Sequence, residues 1–126
     1  MKNKSIFLIA EIIILCLLLT SCWKPFGERE YYDDLYVDIP ETESRLLIKE
    51  WQYLLGSGSE VYYLSSPDAE PQFLGEIIGG DDGYCPFNNG KYAVSYSNGS
   101  VTLTWSLDGS DNYTKSKSFV LEKSDN

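Results

Sequence analysis

Lys91 to Ser106 reads KYAVSYSNGSVTLTWS, and the reading of this stretch decides the fold. Asn98-Gly99 at its centre is a strong two-residue hairpin signal, because a type I′ turn needs positive φ at both positions. Placing the turn there fixes the register of the two arms. Tyr96 then faces Val101, Val94 faces Leu103 and Tyr92 faces Trp105, all on one side. Ala93, Ser95, Thr102, Thr104 and Ser106 fall on the other. A slip of one residue would invert every side chain, so two arms that agree on one register predict an antiparallel pair with a single apolar face.

Outward from the hairpin, the same punctuation repeats. Asp108-Gly109-Ser110-Asp111-Asn112 makes the next turn, and Tyr113 to Leu121 returns as a last strand with Phe119 and Leu121 inward. Upstream, Gly79-Gly80-Asp81-Asp82-Gly83 reads as a loop. Before it, Glu60 to Ser65 and Gln72 to Ile78 read as strands joined through Ser66-Pro67-Asp68-Ala69-Glu70-Pro71, whose Pro and Asp carry turn chemistry. Leu46 to Leu55 is the first run. Leu47, Trp51 and Leu54 could share a helical face, but Gly56-Ser57-Gly58-Ser59 follows closely and favours a strand or short helix ending in a flexible turn, of which the strand is the expectation. The expectation is an all-β domain over 45–126: about six short antiparallel strands in a small sandwich or partly closed barrel.

Residues 23–44, WKPFGEREYYDDLYVDIPETES, carry seven acidic and two basic residues with two prolines. No period of 2 or 3.6 holds across the whole of them, and like charges extend a chain. Residues 22–44 are therefore expected to form a solvated acidic tether. Within it, Tyr31, Tyr32 and Tyr36 among acidic neighbours suggest a docking segment, since aromatic anchors carry much of the energy of short recognition segments. The remaining possibility is an extra edge strand.

Residues 1–22 read MKNKSIFLIAEIIILCLLLTSC. Lys2 and Lys4 precede an apolar stretch from Ile6 to Leu19 that Glu11 interrupts, the layout of a secretory signal. Leu19-Thr20-Ser21-Cys22 resembles the lipobox of bacterial lipoproteins, with Leu three places before the cysteine and a small residue directly before it. The resemblance covers these 22 residues and implies cleavage by signal peptidase II after residue 21. It further implies fatty acyl (palmitate-type) chains on Cys22, and a cell-membrane or outer-membrane anchor with the domain facing outside the cytoplasm. Two or three acyl chains anchor stably where one is marginal. Cys16 competes poorly, because Leu15 before it is large.

Charge and composition narrow the function. The chain has 126 residues, 10 basic and 19 acidic, for a net charge of −9. Such a balance opposes nucleic-acid binding and a basic attraction to anionic headgroups. Histidine is absent, which removes Ser-His, Cys-His and His-ligated metal arrangements. Asp81, Asp82, Asp108 and Asp111 lack the spacing of a calcium loop and read as turn residues. Cys85 has no intramolecular partner once Cys16 leaves with the leader and Cys22 is lipidated. It reads as a small buried apolar residue, with an intermolecular disulfide the alternative. The N-x-[ST] triplets at Asn98 and Asn112 read as turn chemistry. No catalytic residue, cofactor or metal site is expected. The function expected is non-enzymatic binding of a protein or envelope component. A carbohydrate-binding module using exposed Tyr and Trp is the rival, and an inert spacer the third reading. Exposure of Trp51, Tyr62, Tyr84, Tyr92, Tyr96 and Trp105 discriminates between platform and core.

Overall fold

The computed structural model describes residues 2–21, 28–54 and 56–121. Its elements are α1 (Lys2–Ser21), β1 (Glu30–Tyr31), β2 (Leu35–Asp38), β3 (Arg45–Tyr53), β4 (Gly56–Leu64), β5 (Gln72–Ile78), β6 (Tyr92–Ser97), β7 (Ser100–Trp105) and β8 (Lys115–Val120). The helix covers the apolar leader, and its side chains from Ile6 to Leu18 stand exposed. No helix among the described residues is long and apolar enough to cross a membrane. Cys22, the expected lipid acceptor, lies outside the described residues, as do residues 23–27.

The strands form two antiparallel sheets. One runs β3-β4-β5, with β1 and β2 following one another along the free edge of β3. The other is β6-β7-β8. Neither closes on itself, so of the two architectures expected it is the sandwich that forms. The β6-β7 hairpin has the register its turn imposes: Tyr92 opposite Trp105, Val94 opposite Leu103 and Tyr96 opposite Val101. Asn98 and Gly99 both have positive φ, 50° and 76°. Val101, Leu103, Trp105 and Phe119 from this sheet meet Leu46, Ile48, Val61 and Ile77 from the other, with Ile39 and Phe87 completing the core. The outer side of the hairpin is Ala, Ser and Thr, where Thr102 and Ser118 join hydroxyls across β7 and β8 at 2.7 Å.

Two expectations need correction. The solvated tether does not extend through residues 30–44. Tyr31 pairs with Trp51, Tyr32 N–H donates to the Glu50 carbonyl at 2.9 Å, and Leu35 to Asp38 pair with Ile48 to Arg45. Ile39 is 1% exposed in the core. The cause is a short period-2 run, Leu35, Val37 and Ile39, which fits the inner face of β3 and was hidden by the acidic average around it. The strand total among the described residues is accordingly eight, not six. The second correction concerns Gly56 to Ser59, which are strand residues of β4 and not a flexible turn. Gly58 opposes Trp51, and a Cβ at Gly58 would collide with the indole and lie 2.8 Å from the Ile77 carbonyl. Glycine is used here for close approach, which permits the large ring to lie flat over β4.

Candidate functional site

Alternation along β3 sends Leu46, Ile48, Glu50 and Gln52 inward and Leu47, Lys49, Trp51 and Tyr53 outward. Their cross-strand partners share their faces. Tyr31 opposite Trp51, Tyr36 and Tyr62 opposite Leu47, and Phe73 opposite Tyr62 therefore lie on the outer face of the five-stranded sheet. Trp51 stacks on Tyr53 with centroids 5.5 Å apart and planes at 27°. Tyr62 and Phe73 meet edge to face at 5.5 Å. Tyr31, Tyr36, Tyr53 and Phe73 are exposed at 51%, 53%, 41% and 56%, and Ile78 at the end of β5 is 88% exposed. Trp51, though on this face, is 7% exposed, because its neighbours cover it.

Arg29 is the main cover. Its guanidinium lies 4.0 Å from the centroid of the Trp51 ring and bonds Glu76 at 3.2 Å on β5, across the width of the sheet. The Tyr31 hydroxyl and then the Glu76 carboxylate hold its pKa above the ordinary arginine value. Lys49 stands 5.7 Å from the Tyr62 ring centroid and opposite Glu60. The face thus combines exposed aromatic rings with a balanced set of charges, in a chain whose overall charge is strongly negative.

A second feature is a cleft of about 470 Å³ between β3 and the loop after β5, lined by Tyr32, Gln52, Asp82, Tyr84, Cys85 and Asp108 among others. Tyr32, next to Tyr31 on an alternating chain, turns to this side. Its hydroxyl donates to Gln52 at 2.9 Å, and Gln52 Nε2 donates to the Gly83 carbonyl at 3.2 Å, tying the N-terminal segment to the loop. Of the three tyrosines expected to dock a partner, Tyr31 and Tyr36 are brought together with Trp51 and Tyr62, whereas Tyr32 is separated from them.

The cleft is poor in chemistry. Cys85 is 4% exposed, and burial, then the Glu50 carboxylate, push its thiol pKa up, away from the reactive thiolate. Glu50, 1% exposed, accepts from Phe87 N–H at 3.1 Å, Asn88 N–H at 2.7 Å and Asn88 Nδ2 at 2.8 Å. Glu50 does not line the cleft, and its three donors tie β3 to the Phe87–Asn88 loop. Asp108 caps its own turn, accepting from Ser106 Oγ and Ser110 N–H. Asp111 pairs with Lys91 at 2.7 Å. Among the described residues no group of three His, Cys, Asp or Glu side chains could hold a metal ion. Sequence reasoning missed Glu50 altogether. The available signal was its place two residues after Ile48 on an inward-facing alternation.

Of the six rings that discriminate platform from core, Trp51 and Trp105 are buried, and Tyr62, Tyr84, Tyr92 and Tyr96 are half-buried. Tyr92 and Tyr96 pack on the core. The exposed rings of the strands and their links are others: Tyr31, Tyr36, Tyr53 and Phe73 on the outer face, and Tyr32 on the cleft side. Comparison with protein-family models, curated proteins and solved structures gave no match.

Proposed function

We propose that the chain is a lipid-anchored extracytoplasmic protein whose β domain binds an envelope component or a protein, without catalysis, through the outer face of its five-stranded sheet. The observation that carries this reading is the cluster of exposed rings on that one face, while the outer face of the three-stranded sheet is Ala, Ser and Thr with a single exposed aliphatic, Val120, at its end. Exposed apolar surface concentrated on one side marks an interaction site. The lipobox-like Leu19-Thr20-Ser21-Cys22 supports the anchor, and the buried Cys85 thiol of the cleft, its pKa raised, supports the non-catalytic part. A carbohydrate-binding module remains the second reading, favoured by Tyr53 and Phe73 beside Lys49 and Glu76 on the same face. Both described tryptophans are buried, so sugar stacking would rest on tyrosine and phenylalanine alone.

Two measurements test the proposal. Labelled fatty acid should enter the wild-type protein and not Cys22→Ala, which should stay full length; equal labelling removes the anchor. A photo-crosslinking residue at position 78 should form adducts in the intact envelope, and one at position 95 on the opposite face should not. Equal yields at the two positions, or none at either, would remove the face from consideration. An adduct released by a glycan hydrolase would select the carbohydrate reading.

A further inference from the structure

We infer that the envelope component met by this face is the lipid headgroup layer of the membrane carrying the protein's own anchor, so that the domain lies with its five-stranded sheet against the bilayer. The inference rests on the anchoring reading above. Arg29 is fixed on the outer face by its contact with Trp51 and its bond to Glu76. Cys22 precedes Arg29 by seven residues. A fully extended chain spans at most about 3.6 Å per residue, so the anchor can stand no farther than about 25 Å from this face. A chain that entered the domain on the Ser/Thr side would present the other sheet instead.

The chemistry of the face fits that position. Tyr31, Tyr36, Tyr53 and Phe73 are exposed together, with Ile78 almost fully so. Tyrosine is enriched where membrane meets water, its ring among the upper acyl carbons and its hydroxyl in the headgroups. The charges nearby are of both signs, Arg29 with Glu76 and Lys49 opposite Glu60, so this side lacks the uniform acidity that anionic lipid would repel. A sugar-binding platform gains little from an aliphatic side chain exposed at its rim, whereas a lipid surface does. Tethering converts weak ring insertion into an intramolecular event, and modest apolar area then suffices.

The test uses the mature protein purified from its own membranes, its intact mass read first, then reconstituted in dioleoylphosphatidylcholine vesicles. A neutral lipid isolates ring insertion from charge. Nitroxide labels go on Ile78→Cys and, separately, Ser95→Cys; Cys85 is buried and a lipidated Cys22 is blocked. The Ile78 label should lose collisions with an aqueous nickel chelate several-fold and gain collisions with oxygen, while the Ser95 label stays open to nickel. Substituting Tyr31, Tyr36 and Phe73 by Ser should return nickel access at position 78 with the circular dichroism unchanged. Equal nickel access at both positions on a lipidated chain overturns the inference and leaves the anchor standing. So does protection of position 78 that appears only on adding soluble glycan. A mass without lipid at Cys22 overturns the anchoring reading and this inference with it.

Discussion

Glu50 places a carboxyl group where burial disfavours its charge and the surrounding hydrogen-bond donors favour it. Burial is the larger influence and lifts its pKa, against the lowering effect of the Asn88 and Phe87 donors. A carboxyl whose folded pKa lies above its unfolded value contributes stability fully present below the unfolded pKa and lost as pH rises through the folded one. Removing the side chain strands buried donors, each worth about 1–3 kcal/mol when unsatisfied. Glu50→Ala should therefore destabilise the domain, and by more at pH 4 than at pH 7. Denaturant unfolding at both values checks this; a gap that widens toward neutral pH would mean the hydrogen bonds outweigh burial. The hairpin gives a second residue-scale contrast. Trp105 is 5% exposed and touches Phe87 with centroids 5.9 Å apart. Trp105→Ala should cost about 3–5 kcal/mol and Thr104→Ala, on the opposite face, under about 1 kcal/mol. A well-folded Trp105→Ala would sink the core assignment. Trp105 was legible because a turn fixed its register. Glu50 was not, since its partners Phe87 and Asn88 lie in a loop more than thirty residues away.

At the scale of elements, the edge pair β1-β2 differs from the rest. It adds two and four residue pairs to one side of β3, whereas β3 and β4 pair over nine residues. Short edges with few apolar contacts open more readily than central strands. Leu35→Ser combined with Val37→Ser removes its inward side chains, and amide exchange at Tyr36 to Asp38 should quicken about tenfold or more, equivalent to about 1.4 kcal/mol. Amides of β6 to β8 should change far less; equal acceleration in both sheets would show that the edge does not open separately. The sequence reading kept an edge strand only as its remaining possibility because seven acidic residues dominate the average over 23–44, and three alternating aliphatics are a weak signal beside them. Gly56 to Ser59 misled for the converse reason. Glycine and serine resemble a turn, while Gly58 answers to the Trp51 ring, a partner set by pairing and invisible locally. The outer aromatic face was half legible: Tyr31 and Tyr36 stood out as acidic-aromatic residues, but their company with Tyr53 and Phe73 depends on strand order.

At the scale of the whole molecule, two of the acidic loop side chains already have partners: Asp108 accepts from its own turn and Asp111 pairs with Lys91. Added chelator should leave the melting temperature unchanged, and a fall of several degrees would show that the loops hold a cation. The connectivity of the chain has another consequence. From β2 to β5, and again from β6 to β8, each strand pairs with the next one in sequence. A chain that emerges N-terminus first, as from an export channel on the secretory reading, can thus complete the first sheet at Ile78 before Tyr92, the start of the second, has emerged. Such local pairing is quick to form. Yet the finished first sheet then holds Leu46, Ile48, Val61 and Ile77 bare to water until the second arrives. A chain that stalls between those two points leaves a sticky half-protein, the species a chaperone must shield or a protease clear.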